Sequence, residues 1–113
     1  MKRAVPSAST TSTRGEIWWA DLEKRRPVVL LSRDEAYEIR GLVTVAPVTT
    51  RNRNLSVEIQ LGKGEGLPKT CVANLDVITT IPKRSLVERI AMLPAKKLEA
   101  LDDALRFALG LDT

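Results

Sequence analysis

The stretch Val45-Ala46-Pro47-Val48-Thr49-Thr50-Arg51-Asn52-Arg53-Asn54 begins as an apolar strand and ends in two hydroxyls and two guanidinium groups. A second cationic cluster, Lys24-Arg25-Arg26, stands directly before Pro27 and a further apolar run. Hydroxyl donors and planar guanidinium forks suit phosphate recognition, because the fork contacts two oxygens at once and keeps its charge near neutral pH. A solvated turn has the same composition, so these groups become a site only if the fold positions them. Pro27 supplies one constraint. It fixes the entry into an extended segment and has no N–H to pair, which suits the first residue of a strand. Arg26 then sits at a rigid strand mouth. If the apolar runs at 27–32 and 42–50 pair antiparallel, Thr49 lies near the start of the first run and both side chains face the same anion.

Composition narrows the chemistry further. The chain has 113 residues and no histidine, so a Ser-His-Asp triad, a histidine base and a histidine-ligated metal are excluded. Its single cysteine, Cys71, excludes an internal disulfide and a four-cysteine zinc site, and fits a reducing cytoplasm. Cys71 lies in an apolar alternation and reads as a small buried hydrophobe rather than a nucleophile. Arg, Lys, Thr, Ser, Asp and Glu are left to act, and no metal or cofactor is expected. Residues 1–54 hold ten Lys and Arg against six Asp and Glu, whereas residues 55–113 hold eight of each, so the whole net charge of +4 lies in the first half. A pI near 9.6 with this asymmetry points to a polyanionic partner, of which nucleic acid is the common one. No apolar run approaches the ~18 residues that a membrane span needs, and no secretory leader is evident, since no apolar block follows Lys2 and Arg3.

The elements that must position these groups are mostly strands. Residues 1–13 are rich in Ser and Thr without periodicity and read as a flexible tail ahead of one domain over 14–113. GEIWWADL (15–22) alternates, with Ile17 and Trp19 on one face and Glu16 and Trp18 on the other, so one tryptophan is core and the other is free to stack on a base. PVVLLS (27–32) is a buried strand, RDEAYEIR (33–40) has the composition of one or two helical turns, and LVTVAPVTT (42–50) is a third strand. NLSVEIQL (54–61) alternates with Leu55, Val57, Ile59 and Leu61 on one face. Residues 62–69 form a loop, 70–81 hold one or two strands, and 86–93 hold another. From 94 to 111 the period changes: Leu98, Leu101, Leu105, Ala108 and Leu109 share a helix face, with Pro94 in the first turn and Gly110 at the C-terminal cap. The expected fold is mainly β, a small antiparallel barrel or curled sheet closed by one C-terminal helix.

Two further patterns are set aside. Gly62-Lys63-Gly64-Glu65-Gly66 lacks the Ser or Thr after lysine that a phosphate loop needs, and Leu67-Pro68 follows it instead of a helix. Glu99, Asp102 and Asp103 lie opposite the apolar stripe and read as a solvated helix face rather than a magnesium site.

Taken together, R-G-E-I-W-W-A-D-L (14–22), R-P-V-V-L-L-S (26–32) and V-A-P-V-T-T (45–50) resemble the MazF/PemK family of toxin ribonucleases, as do Gly66-Leu67, the Asp76 region, I-P-K-R (81–84) and the leucine-rich helix. The resemblance covers about residues 14–111. It implies a Src-homology-3-like barrel with a C-terminal helix, a homodimer, metal-independent cleavage of single-stranded RNA in the cytoplasm, and a cognate antitoxin. Carried over residue by residue, it implies Arg26 and Thr49 as the catalytic pair and Asp76 as a general base or RNA contact. Trp19, Lys24, Arg25, Thr50, Arg51, Arg53 and Asn74 are then RNA-binding candidates. RNA brings its own nucleophile, the 2′-hydroxyl, so the expected products are a 2′,3′-cyclic phosphate (or its opened form) and a 5′-hydroxyl end.

The chain departs from the family pattern in two places. The connection between the first two strands is short, only Leu22 to Arg25, and Asp76-Val77 with Thr79-Thr80 replaces the usual Asp-Gln before Arg-Thr. Base-reading contacts are therefore not carried over. Two other classes remain as alternatives: an RNA-binding module without catalysis, and a gyrase poison of the CcdB kind, which shares the fold but relies on a tryptophan-bearing C-terminus absent from LGLDT.

Overall fold

A computed structural model describes residues 13–33 and 41–111. Among the described residues, seven strands and one α-helix follow in chain order: β1 (Glu16–Asp21), β2 (Arg25–Leu30), β3 (Leu42–Thr49), β4 (Glu58–Leu61), β5 (Cys71–Asn74), β6 (Thr79–Pro82), β7 (Leu86–Met92) and α1 (Ala95–Leu109). The strands form one antiparallel sheet in the order β4-β5-β3-β2-β1-β7, with β6 also paired to β3. The sheet curls into a half-barrel. Register shifts at Ile17/Trp18 and Trp19/Ala20 mark where β1 bends against β7, since an extra residue on one strand kinks the ladder and increases twist.

Curling gives the sheet two buried faces. Ile17, Val29, Ala46, Val48, Ile59, Cys71 and Ala73 pack on one side with Leu101 and Ala104 of α1. Trp18, Ala20, Val28, Leu30, Val45, Ile81 and Leu86 fill the other. Double-sided burial explains why PVVLLS is apolar without alternation. The tryptophan question is answered as well: Trp18 is fully buried and Trp19 is half-exposed. Burial of the Trp18 indole requires a partner for its N–H, and Glu16 supplies it. This buried carboxylate accepts from Trp18 Nε1 at 3.0 Å, from the Thr13 N–H at 2.8 Å and from Arg89 Nε at 2.6 Å.

Helix α1 closes one side of the sheet. Pro94 stands at the N-cap position and Gly110 caps the C-terminus at φ 69°, in the left-handed region that glycine adopts freely. The helix approaches β1 so closely that a Cβ on Gly15 would lie 2.5 Å from Leu98 Cδ2.

The structure moves several expected boundaries. β2 begins at Arg25, so Pro27 lies within the strand, opposite Trp19, and the β1–β2 connection is Leu22 to Lys24. β4 begins at Glu58 rather than at residue 54, leaving Leu55 exposed while Val57, Ile59 and Leu61 are buried. The loop at 62–69 contains a 3-10 turn, Lys63–Glu65, whose Glu65 carboxylate caps the Gly62 N–H at 2.7 Å. Leu109 is exposed, because α1 turns it past the edge of the packed face. Residues 70–81 resolve into two strands, β5 and β6, joined by a 3-10 turn over Leu75–Val77. The tail reading for residues 1–12 and the helical reading for 34–40 lie outside the described residues, and Thr13 is already tied to Glu16.

Candidate active site

β3 is the hinge on which the site is built. It pairs with β2 through Val28↔Pro47, Val29↔Ala46 and Leu30↔Val45, then leaves β2 and pairs with β5 through Val48↔Ala73 and Thr49↔Val72. The divergence opens a cavity of about 330 Å3 between the mouth of β2 and the end of β3. Its walls carry Trp19, Arg25, Thr49 and Thr50, and its floor is Pro27, Val48 and Cys71. The Leu67-Pro68-Lys69 segment forms the far rim.

The residues of this cavity are held by different means. The Arg25 guanidinium lies 5.5 Å from the centre of the Trp19 ring, and its Nη2 pairs with Glu88 Oε1 at 3.0 Å. Glu88 itself stands opposite Trp19 in the β1–β7 ladder. One face of the indole is thus covered by a pinned cation, and its surroundings open into the apolar cavity. Exposed pairs of this kind contribute little stability; their effect here is to fix the ring.

On the other wall, Thr49 Oγ1 accepts a hydrogen bond from the Arg51 N–H at 3.2 Å. A hydroxyl that accepts this way keeps its own proton to donate. The β2–β3 pairing ends at Val28↔Pro47, and Arg26 and Thr49 each lie two residues beyond it, at the end where the two strands part. Arg26 does not line the cavity: alternation along β2 sends Arg25 and Pro27 into it and Arg26 to the other face, beside Val28. Among the described residues, the exposed Arg26 side chain has no hydrogen-bond or ion-pair partner. Thr49 is therefore the residue shared by two settings, the Arg25 cavity and the Arg26 rim.

Trp19, Arg25, Thr49 and Thr50 of the sequence-derived set come together here. Lys24, Arg51 and Arg53 are exposed on the two flanking connections and do not line the cavity. Asp76 and Asn74 stand apart from it. Asn74 Oδ1 accepts from the Asp76 N–H at 2.9 Å and so caps the 3-10 turn Leu75–Val77, while Asp76 is exposed and is not among the lining residues. The cavity lining contains no carboxylate. Lys69 is a cation the sequence reading passed over. Its signal was the Gly66-Leu67-Pro68 turn, where Gly66 takes φ 84° and reverses the chain toward the cavity. Cys71 is buried, and burial pushes its thiol pKa up, with the Glu65 charge adding to the shift. It is a cavity floor, not a nucleophile. Neither Glu99, Asp102 nor Asp103 contributes to a metal cluster among the described residues; Asp102 pairs with Arg14 and Asp103 with Arg106.

Residues 13–109 match the model of the PemK-like, MazF-like toxins of type II toxin-antitoxin systems. The chain belongs to this family. It is 37% identical over 99 residues to the probable endoribonuclease MazF5 of Mycobacterium tuberculosis, covering 85% of this chain and 91% of that one. It is 38% identical over 93 residues to endoribonuclease MazF3 of the same species, covering 82% and 90%. Among solved structures, the M. tuberculosis toxin MazF-mt6 superposes with a TM-score of 0.81 at 37% identity, covering 87% of this chain and 99% of that one. A MazE–MazF complex from Deinococcus radiodurans superposes at 0.75 with 28% identity, covering 88% and 95%. The half-barrel with its C-terminal helix is thus the MazF toxin fold.

Proposed function

We propose that this family member is an endoribonuclease that cuts single-stranded RNA by attack of the 2′-hydroxyl on the adjacent phosphate. The observation that carries the reading is Thr49: its hydroxyl is held by the Arg51 N–H with its proton free, at the junction of the Arg26 rim and the Trp19 cavity. In this reaction the 2′-oxygen forms a bond to phosphorus and the bond from phosphorus to the 5′-oxygen breaks. The 2′ proton leaves to solvent, since no carboxylate lines the cavity, and the 5′-oxygen takes up a proton as it departs. Thr49 donates to a non-bridging oxygen and Arg26 offsets the charge that grows on the phosphorane. Donors aimed at developing charge commonly supply about 2.7–4 kcal/mol each. Because the substrate brings its nucleophile, positioning and charge stabilisation suffice without a metal ion.

The apolar cavity takes a base of the bound strand against Trp19, and Lys24, Arg51, Arg53 and Lys69 track neighbouring phosphates. Base stacking on an aromatic ring contributes about 1–3 kcal/mol and tolerates different bases. Asp76 and Asn74, at the corner after β5, are RNA contacts rather than acid-base groups. A cognate antitoxin covers the same basic face, a partner of the kind that accompanies MazF in the D. radiodurans MazE–MazF complex, and two copies of the chain form a homodimer in the cytoplasm. No helix among the described residues is long and apolar enough to cross a membrane.

The test is incubation of the purified protein with a long single-stranded RNA in excess chelator, with product ends read by sequencing and phosphatase sensitivity. Cuts that leave 5′-hydroxyl ends and spare the matching DNA are expected. Intact RNA that nevertheless co-purifies with the protein in a salt-sensitive way would establish the binding module instead.

A further inference from the structure

The segment between β3 and β4 has no regular structure, yet its backbone donors are taken up one after another by side chains. Thr49 Oγ1 accepts from the Arg51 N–H at 3.2 Å, and Asn52 Oδ1 from the Asn54 N–H at 2.9 Å. Glu58 Oε1 accepts from the Arg53 N–H at 3.0 Å and from the Leu55 N–H at 3.2 Å. Asn52 and Gln60 close the arrangement through a reciprocal amide pair at 2.6 and 3.2 Å. Asn54 takes φ 56°, the left-handed conformation that asparagine tolerates better than other side-chain-bearing residues. The loop is built, and what it presents are Arg51 and Arg53, two exposed guanidinium groups with no partner among the described residues.

Glu58 is the unusual part. It is 9% exposed, its Oε1 takes both loop N–H groups, and its Oε2 is buried with no hydrogen-bond partner among the described residues. A half-satisfied buried carboxylate is unfavourable, and a native structure that keeps one calls for a reason. Pure stability is a poor reason, because an apolar residue at this strand start would avoid the burden of desolvating the charge. The other buried glutamate, Glu16, has a counter-charge in Arg89 and a bond on each oxygen; Glu58 has neither.

We infer that Glu58 is a positioning residue: through the N–H groups of Arg53 and Leu55 it holds the loop that presents Arg51 and Arg53 to the RNA backbone beside Thr49. This rests on the proposed ribonuclease reading and extends it to a residue that touches no substrate. A loop fixed before binding spares the RNA the ordering entropy of two long arginines. The effect belongs in binding, not in the chemical step. In contrast, a residue that only stabilised the fold would lower the melting temperature and leave the kinetic parameters of the folded protein alone.

The experiment uses the full chain and compares wild type, Glu58→Ala, Glu58→Gln and Arg51→Ala/Arg53→Ala, with and without Glu58→Ala. Three quantities are read: amide hydrogen exchange at residues 53 and 55, KM and kcat on a single-stranded RNA, and the salt dependence of binding to its 2′-deoxy analogue. Glu58→Ala is expected to expose both amides and raise KM about tenfold with kcat changed less than about threefold, the split that marks lost uniform binding. Glu58→Gln keeps the acceptor oxygen and should restore most of the affinity. The loss should also be non-additive with the double arginine variant, as for groups that act through one another. The inference is overturned if exposed amides leave KM unchanged, if the losses simply add, or if Glu58→Gln is as poor as Glu58→Ala. Should wild type cut no RNA at all while the amides respond as expected, the ribonuclease reading fails, and the positioning role fails with it for want of a substrate.

Discussion

The two sides of the candidate site, β2 and the connection after β3, both present arginines, and they are held in different ways. Arg25 and Arg26 belong to β2, fixed by the ladder with β1 through Asp21↔Arg25 and Ala20↔Arg26. Arg51 and Arg53 belong to a loop fixed by the side chains of Thr49, Asn52, Glu58 and Gln60. A ladder is redundant: many backbone bonds share the task and no single side chain decides the geometry. A side-chain frame is not redundant, and its removal is local. The first wall should therefore fail only when the sheet fails, and the second when one oxygen is lost. A strand wall suits the fixed chemistry at the scissile phosphate.

The largest expected effect tests the first half of that contrast. Glu16→Ala strips Trp18 of its indole partner and leaves Arg89 without its carboxylate. It should destabilise the protein by about 3 kcal/mol in denaturant unfolding, whereas the fraction that remains folded should bind RNA as before. Next is Thr49→Ala, which should cut the single-turnover cleavage rate about a hundredfold with the melting temperature little changed. Thr49 also accepts the Arg51 N–H, so a modest weakening of RNA binding should accompany it, and Thr49→Ser should recover both. A smaller change is expected for Arg51→Ala/Arg53→Ala: binding weakens at low salt, and the slope of log affinity against log salt becomes shallower by roughly 1.4 for two lost phosphate contacts to a single strand. An unchanged slope would remove the loop wall from the interface.

The smallest effect concerns the cavity floor. Burial raises the Cys71 pKa above its ordinary value of 9.0. The folded protein then keeps the thiol proton at pH values where the unfolded chain has released it. Stability from this source is fully present below the unfolded pKa and falls as pH rises beyond it. Wild type should lose a little more thermal stability than Cys71→Val between pH 8 and pH 10 in that direction (on the order of a degree or two). The thiol should also react slowly with alkylating reagents at neutral pH.

Much of the fold was legible because its signals are local or periodic. Alternation marked β1, the continuous apolar run marked β2, and the change to helical spacing with a glycine cap marked α1. What the sequence could not convey was shape. Both tryptophans of β1 lie on apolar faces once the sheet curls, so alternation alone could not say that Trp18 is core and Trp19 the cavity wall. For the same reason Arg25, which reads as a generic cation, was harder to rank than Arg26 beside its proline: only the side of β2 that opens into the cavity separates them. The role of Glu58 was hidden for a different reason. Within VEIQL it looks like the polar face of an alternating strand, and its bonds run to backbone N–H groups, which no pattern of residue types records.

The measurement that bears most directly on the account is the single-turnover cleavage rate of Arg26→Ala against Arg25→Ala, with saturating protein and one single-stranded RNA. Arg26 is assigned the phosphorane charge, and Arg25 the clamping of Trp19 through Glu88. The account predicts a loss of about a hundredfold or more for Arg26→Ala. For Arg25→Ala it predicts a loss confined mainly to affinity, with the rate at saturation within roughly threefold of wild type. A rate collapse in Arg25→Ala with Arg26→Ala near wild type would contradict it and transfer the chemistry from the rim to the cavity.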